Sequence, residues 1–327
     1  RIDFKDNTKG ALLLEPQRTN VIINSENLNG SGWNVFGASG GTVTRTSNYG
    51  ISPSGELNST RVVFSDGTTA LYASASGITD NASTSIYVKG TVGEIIGFGF
   101  GGSVAGGSDF IFNGEWQRLE FNGTSANSNL TINTWSASRN ARDFEVYGVQ
   151  MEQGSYATSY IPTSGSAVTR VVESSSQTVP DGIYGTNEVT FVIDFEINGD
   201  TPTYSSIFNT NKNTASSFGV TRQEENGRLK PFLFSSGVNV GDMTSTTAFL
   251  NGVRGKFAVG YKNGDSVLVV KGNVEDTNSA TFSDFNVNEI HLNDLVTFFG
   301  YHTNLKIYDF KLYNTRLSNS ELAALTQ

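Results

Sequence analysis

The segment Glu188-Val-Thr-Phe-Val-Ile-Asp-Phe-Glu-Ile197 decides the fold class, because its side chains alternate in polarity with a period of two. Successive side chains of a strand point to opposite faces of a sheet. Its odd-numbered residues are therefore predicted to face a core, and Asp194 and Glu196 to face solvent. The same alternation occurs in Thr60–Phe64, Thr84–Val88, Trp116–Phe121, Asp143–Val149, Gly255–Tyr261, Ser266–Val270 and Leu305–Tyr313. The chain is predicted to be all-β.

Turn signals separate these segments. Asn-Gly occurs at residues 29, 113, 122, 198, 226, 251 and 263, and Asp-Gly at 66 and 181. Both dipeptides tolerate the positive φ of tight hairpin turns. Closely spaced strands joined by such turns predict antiparallel sandwiches.

One helix is predicted, at the C-terminus. Ser318-Asn-Ser-Glu321 has the spacing of a capping box and precedes the apolar Leu322–Leu325. Residues 15–28 are expected to form an irregular loop or a short turn of helix.

The length predicts two domains. A chain of 327 residues is long for one domain, and its 16% charged and 11% aromatic residues do not suit disorder. Short polar stretches between Pro162 and Pro180 mark a boundary. We therefore predict one antiparallel β-sandwich at 1–172 and a second at 173–327, in tandem.

Charge and composition exclude several classes of function. The net charge is −9, which provides no basic surface for nucleic acid and disfavours anionic membranes. The chain has no cysteine, so disulfides and thiolate chemistry are absent. No apolar run reaches the roughly 18 residues of a membrane span. The chain begins with Arg1, and we expect a piece of a longer protein with any targeting signal upstream.

Two segments in the first half carry a resemblance to a known module. They are Gly10-Ala-Leu-Leu-Leu-Glu-Pro-Gln-Arg-Thr-Asn20 with Asn24-Ser-Glu26, and Tyr147-Gly-Val-Gln-Met-Glu-Gln-Gly-Ser-Tyr-Ala-Thr-Ser-Tyr-Ile-Pro-Thr163. Together they resemble the opening and closing signatures of a carbohydrate-binding-like jelly roll found in bacteriophage tail fibres and other virion surface proteins. The resemblance implies a location on the virion surface, contacts with other virion subunits and a trimeric assembly.

The second half carries its own resemblance. Residues 298–318, which include Ile307-Tyr-Asp-Phe-Lys-Leu-Tyr313, are followed by Glu321-Leu-Ala-Ala-Leu325. This layout resembles the final strand and terminal helix of concanavalin-like (laminin-G-like) lectin domains. Because such domains often bind calcium through carboxylates, the resemblance makes Asp265, Asp276 and Asp284 the carboxylates available for calcium, without assigning it as a cofactor. No Asp-x-Asp-x-Asp loop is present.

Aromatic residues with polar neighbours are the candidate sugar site. Sugar rings stack on aromatic faces, and amides, carboxylates and guanidinium groups bind their hydroxyls. Trp135 lies among Ser, Thr and Asn residues close to Arg139 and is the leading candidate. Further candidates are Tyr49 and Tyr72 in the first half, and Tyr204, Arg222, His291, Asn293 and Asp294 in the second. Trp33 and Trp116 resemble framework residues of their families.

Other chemistry finds little support in the sequence. Asp194 and Glu196 share a strand face, but the third acid of the hydrolase array is missing, so no catalytic residue is assigned. His291, His302 and Asp294 would meet only if neighbouring strands bring them together, and no metal site or cofactor is assigned. Gly97-Phe-Gly-Phe-Gly-Gly102 matches a phosphate-binding pattern, but no helix signal follows it.

The sequence therefore predicts non-catalytic recognition of a host surface polysaccharide by part of a phage virion. A bacterial cell-surface adhesin of prophage origin would look the same. The alternative is a structural module that decorates a capsid or tail and has no sugar site.

Overall fold

The structure is a computed structural model that describes residues 1–3, 8–65, 68–101, 106–124, 129–180, 187–199, 204–210, 216–223, 225–282, 287–294 and 302–327. Its first strands are β1 (Ile2–Asp3), β2 (Ala11–Leu14), β3 (Arg18–Asn20), β4 (Trp33–Gly37), β5 (Val43–Thr46), β6 (Thr60–Phe64), β7 (Thr69–Ser74), β8 (Asn81–Gly90), β9 (Ile95–Gly101), β10 (Ser108–Ile111), β11 (Gln117–Thr124), β12 (Asn129–Asn133), β13 (Asp143–Gln153) and β14 (Val168–Arg170). A 3₁₀ turn, Ala38–Gly40, follows β4.

The remaining elements begin after residue 172. They are β15 (Ser175–Thr178), β16 (Glu188–Asn198), β17 (Tyr204–Thr210), β18 (Ser217–Gln223), β19 (Leu229–Ser235), β20 (Val238–Asn239), β21 (Gly255–Lys262), β22 (Ser266–Val270), β23 (Asn273–Asn278), β24 (Glu289–Leu292), β25 (Asn304–Tyr313) and the helix α1 (Asn319–Thr326). The chain is therefore all-β with one short helix in its described part, as predicted.

The chain divides into two compact units. Arg18–Val171 form one, called the inserted unit, and Arg1–Gln17 with Val172–Gln327 form the other, called the flanking unit. The predicted division at residue 172 placed the first 17 residues with the first half, and the structure differs. Leu12 of β2 lies opposite Ile307 of β25, so the N-terminal strand completes a sheet of the flanking unit. Alternation reveals a strand but not its partner.

The inserted unit is a sandwich of two antiparallel five-stranded sheets. Sheet I has the order β10-β9-β12-β7-β4, and sheet II has the order β11-β8-β13-β6-β5. The core between them takes Leu71, Phe98 and Ile132 from sheet I and Val62 and Ile86 from sheet II. Outside both sheets, β3 pairs with β14, so the chain enters and leaves the unit at neighbouring points, as inserted domains commonly do.

Asn20 joins the opening and closing segments of the inserted unit. Its fully buried side chain donates from Nδ2 to the carbonyl oxygens of Val149 at 3.2 Å and Ile161 at 2.9 Å. Its Oδ1 accepts from the backbone N–H groups of Ile22 at 3.1 Å and Met151 at 3.2 Å. One amide thus satisfies four backbone groups that would otherwise be buried without partners.

A second group of polar contacts strengthens the same junction. The hydroxyls of Ser25 and Tyr160 lie 2.6 Å apart, and Thr163 donates its backbone N–H to Ser25 Oγ at 2.8 Å. Gln150 Oε1 accepts from the backbone N–H of Ile161 at 2.6 Å. The two signature segments are therefore framework segments, since each supplies the hydrogen-bond partners of the other.

The flanking unit is also a sandwich. Sheet III has the order β1-β2-β25-β16-β21-β22-β23, and sheet IV has the order β15-β24-β17-β18-β19-β20. The core takes Phe191 and Phe195 from sheet III and Phe208, Val220 and Leu233 from sheet IV. The rings of Phe191 and Phe208 have centroids 4.6 Å apart. The predicted inward-facing side of Glu188–Ile197 is confirmed, because its odd-numbered residues all lie in this core.

Helix α1 covers part of the outer face of sheet III. The capping box is confirmed, because Ser318 accepts from the backbone of Glu321 and Glu321 accepts from the backbone of Ser318. Leu322 is fully buried in a cluster with Val192 and Val267. No helix among the described residues is long and apolar enough to cross a bilayer.

Strands run through two segments of irregular sequence, residues 15–28 and the glycine-rich residues 97–101. The segment 15–28 contains a short strand, β3, rather than only a loop or a turn of helix, because Arg18–Asn20 pair with β14. The described glycines at 97, 99 and 101 lie on β9, which pairs with β10, so the phosphate-type pattern lies on a strand as the sequence indicated. Gly102 lies outside the described residues.

Candidate functional site

One row of residues crosses all five strands of sheet I on its outer face. Residues directly opposite each other on neighbouring strands share a face. The pairing runs from Phe36 to Ala70, Asn133, Gly97 and Asp109. The core side chains of these strands alternate with this row, so the row faces away from the core.

The accessible end of this face carries three aromatic side chains, which we call the aromatic face: Phe36, Tyr72 and Trp135. Phe36 is 44% exposed, and its ring centroid lies 5.0 Å from that of Trp135 with a tilt of 45°. Tyr72 and Trp135 are half-buried, and Tyr72 lies opposite the exposed Asn34 of β4. The arrangement offers ring surface and an amide to the same side of the sheet.

Arg139 holds the other end of the row together. Its side chain is 8% exposed, and its Nε donates to Asp109 Oδ1 at 2.7 Å. Its guanidinium also donates to Asn133 Oδ1 and, at 3.3 Å, to the carbonyl oxygen of Gly107. Gly97 makes room for it, because a Cβ at residue 97 would collide with the guanidinium. Arg139 is therefore a buried framework residue at the end of the row opposite Phe36.

The ion pair is fixed by hydrogen bonds as well as by charge. The hydrogen bond from Arg139 is the larger cause, and that from Ser138 Oγ at 2.8 Å the smaller, of a pKa of Asp109 below its usual value. The carboxylate therefore stays ionised and neutralises the guanidinium.

The sequence proposed Trp135, Arg139 and Tyr72, and the structure brings all three to one side of sheet I. It missed Phe36 and Asn34. Their signal was the alternation in Trp33–Gly37, where Trp33 is 7% exposed and in the core, so that residues 34 and 36 must point outward. Trp33 Nε1 donates to the carbonyl oxygen of Asn24 at 2.8 Å, the framework role that the resemblance implied.

Tyr49 lies on the side of sheet II and not with the aromatic face. It is 48% exposed, and the guanidinium of Arg61 on β6 lies 5.2 Å from its ring centroid. Trp116 is half-buried, and its Nε1 donates to the carbonyl oxygen of Ile51 at 3.0 Å, so it does not pack in the core as its resemblance implied.

In the flanking unit, two of the proposed residues have framework contacts. Arg222 is 3% exposed and donates from Nε to the carbonyl oxygen of Phe249 at 2.7 Å. Asn293 is fully buried, donates to the carbonyl oxygen of Thr303 at 2.9 Å and accepts from its N–H at 2.9 Å. Tyr204 is half-buried at the start of β17.

The two histidines meet around one carboxylate. His291 Nδ1 lies 3.4 Å from Asp294 Oδ2, and His302 Nε2 lies 3.7 Å from Asp294 Oδ1. Glu289 Oε2 lies 3.0 Å from His291 Nε2. Within the described ranges, no group of three His, Cys, Asp or Glu side chains is arranged to hold a metal ion.

Asp194 and Glu196 differ from the sequence expectation. Asp194 is only 5% exposed, and both of its carboxylate oxygens accept from Arg254 at 2.7 Å. Glu196 accepts from Tyr308 Oη at 3.0 Å, and Arg254 lies 3.8 Å from the Tyr308 ring centroid. The strand does place these acids opposite the core, but a cation and a ring cover Asp194.

The carboxylates considered for calcium have other contacts. Asp265 pairs with Arg316 at 3.1 Å, and Asp276 accepts from the backbone N–H of Thr244 at 2.8 Å. Asp284 lies outside the described residues.

Comparisons with known proteins give distant likenesses of fold. No protein-family model matches the chain, and no curated protein matches it. The chain is similar to the botulinum neurotoxin serotype D binding domain, with 12% identity and a TM-score of 0.35 over 47% of this chain and 42% of that one. It is similar to the native heptameric SAP-like pentraxin from Limulus polyphemus, with 10% identity and a TM-score of 0.34 over 47% and 81%.

A third similar structure is Domain 4 of AbnA, a GH43 extracellular arabinanase from Geobacillus stearothermophilus, in complex with arabinotriose. The identity is 17% and the TM-score 0.37, over 46% of this chain and 71% of that one. The chain spans about two fifths of the length of the neurotoxin structure. At these scores the likenesses carry no argument about function.

Proposed function

We propose that this chain is a non-catalytic glycan-recognition module that binds a polysaccharide on the aromatic face. The observation that carries the proposal is the grouping of Phe36 with the half-buried Tyr72 and Trp135 on the outer face of sheet I. Phe36 alone is 44% exposed. An exposed ring that groups with neighbouring aromatic side chains on one face is a feature that marks binding surfaces.

The chemistry of the face suits a sugar. The ring of Phe36 and the ring of Trp135 present apolar surface for the C–H face of a pyranose, and Asn34 and the Tyr72 hydroxyl supply donors and acceptors at its edge. The ion pair of Arg139 and Asp109 keeps the supporting strands in place. The binding surface is therefore expected to be preformed, which lowers the entropy cost of binding.

The parent protein in this proposal is a phage virion surface protein, such as a tail fibre. Support comes from the two signature segments, whose side chains form the buried junction around Asn20. Display in several copies, a trimer by resemblance, would raise a weak affinity of each site through avidity. Sedimentation velocity tests the oligomer, and a monomer would contradict that part of the proposal.

The experiment is a binding panel of bacterial and marine polysaccharides with and without calcium. We expect saturable binding of one class, weakened at least about tenfold in Trp135→Ala and in Tyr72→Ala, which corresponds to about 1.4 kcal/mol or more. Tyr49→Ala is the matched control, because Tyr49 is an exposed aromatic that lies beside Arg61 of sheet II. No binding by the wild type, or equal binding by all four proteins, would overturn the proposal.

An assembly module without a sugar site is the second candidate. It is favoured by Ile51 and Leu57, which form an isolated β-bridge and are 58% and 57% exposed, close to the exposed Tyr49. Exposed apolar side chains on a loop are suited to contact with another virion subunit. Failure of the polysaccharide panel together with loss of self-association in Ile51→Ser/Leu57→Ser would favour this candidate.

A further inference from the structure

The two sheets of the inserted unit differ sharply in charge. The five strands of sheet I carry a single charged residue, Asp109. The five strands of sheet II carry eight: Arg45, Arg61, Lys89, Arg118, Glu120, Asp143, Glu145 and Glu152. Both sheets cover the same core and need the same solubility, so the core does not explain this segregation.

The single charge of sheet I is already neutralised. Asp109 pairs with Arg139 at 2.7 Å, and the guanidinium is also bonded to Asn133 and to the carbonyl oxygen of Gly107. Because the side chain of Arg139 is 8% exposed, its charge is committed within the protein. Arg142, the next cation along the chain, directs its guanidinium to the carbonyl oxygens of Arg139 and Ala141.

Three further short segments of the sequence add no cation. Residues 102–105 are Gly, Ser, Val and Ala, and residues 125–128 are Ser, Ala, Asn and Ser, so neither segment has a Lys or an Arg. Residues 66 and 67 are Asp and Gly. Recognition of a carboxylate, sulfate or phosphate ordinarily uses Arg or Lys, and this face offers neither in an uncommitted state.

The groups that remain at the aromatic face are neutral. Asn34 and Ser74 are exposed on its strands: Asn34 lies opposite Tyr72, and Ser74 lies two residues after Tyr72 on the same strand. Hydroxyl, amide and phenol groups exchange hydrogen bonds with sugar hydroxyls without the desolvation cost of a charge. The net charge of −9 also repels polyanions before they make contact. At physiological salt this repulsion extends over a Debye length of about 8 Å.

We infer that the aromatic face selects neutral polysaccharides and discriminates against polymers that carry carboxylate, sulfate or phosphate groups. This inference rests on the proposed function, because it names the class of ligand for the same face. Selectivity here comes from the absence of a cation and from long-range repulsion, so it excludes the wrong ligand rather than adding contacts to the right one.

The experiment compares each neutral polysaccharide that binds with its own carboxymethylated derivative. At low salt we expect the derivative to bind at least about tenfold more weakly, and the affinity for the neutral polymer to change less than about twofold when NaCl is raised from 20 to 300 mM. Stronger binding of the derivative, lost as salt is raised, would overturn the inference. Binding of neither polymer would overturn the proposed function instead.

A charge variant gives a second test that does not depend on loss of folding. Ser74→Lys places an uncommitted cation on the outer face of sheet I, and we expect it to gain affinity for the carboxymethylated polymer in a salt-dependent way. Thr44→Lys, at an exposed position of β5 in sheet II, is the matched control and adds the same net charge. Equal gains in both variants would show that net charge alone, and not this face, sets the selectivity.

Discussion

Replacing Asn20 by Ala should destabilise the inserted unit strongly. Asn20 is fully buried, and its amide makes four hydrogen bonds of 2.9–3.2 Å to the backbone of Ile22, Val149, Met151 and Ile161. A buried hydrogen bond contributes about 1 kcal/mol net, and an orphaned partner costs about 1–3 kcal/mol. Allowing for water that enters the vacated space, we expect a loss of about 3–4 kcal/mol in the free energy of unfolding.

The measurement can be confined to the inserted unit. All three tryptophans of the chain, at residues 33, 116 and 135, lie in this unit, so tryptophan fluorescence during urea denaturation reports its unfolding alone. With a slope of about 2 kcal/mol per M urea, the midpoint should fall by about 1.5–2 M. Far-UV circular dichroism should show a second transition, from the flanking unit, at an unchanged midpoint.

Asn122→Ala is the control for Asn20→Ala. Asn122 is an exposed residue of β11, and its replacement should change the free energy of unfolding by no more than about 0.5 kcal/mol. The reasoning would be refuted by a fall of less than about 1 kcal/mol for Asn20→Ala, or by similar effects of the two variants. Either result would mean that the two signature segments are held together by apolar packing and not by this amide.

Three further predictions concern buried groups. Burial raises the pKa of Glu152, whose carboxylate accepts from the backbone N–H of Thr158 at 2.8 Å. The contribution of Glu152 to stability is therefore present at low pH and is lost as pH rises through the folded-state pKa. In denaturation followed by fluorescence, the stability of Glu152→Gln relative to wild type should increase from about pH 4 to about pH 8. Arg254→Met removes both hydrogen bonds that the guanidinium donates to the buried Asp194 carboxylate. The flanking unit should lose about 1–3 kcal/mol of stability in denaturation followed by circular dichroism, and Arg254→Lys should lose less. Equal losses in the two variants would argue against the bidentate pair. Leu322→Ala leaves a cavity under α1 and should cost about 2–4 kcal/mol in the flanking unit, and a change in the tryptophan transition would contradict the division into two units.

The site shows where sequence reasoning reached its limit. Trp135 and Tyr72 were accessible to sequence reasoning because both are aromatic residues and polar neighbours mark sugar-stacking rings. Their proximity to Phe36 depends on the pairing of β4 with β7 and on the turn after β12, and no local pattern specifies either. Arg139 was proposed as a sugar contact, and its burial against Asp109 and Gly97 follows from the pairing of β9 with β10 and β12.

Local patterns in the sequence were enough to predict the class of the fold and its elements. Alternation marked the strands from Thr60–Phe64 to Leu305–Tyr313, and Ser318 with Glu321 marked the start of α1, because both signals depend on residues a few positions apart. The tertiary structure decided that Ala11–Leu14 completes a sheet with β25 and that Arg254 covers Asp194. Those contacts join residues far apart in the chain, and a strand's own pattern sets which side faces a core but not which strand lies beside it.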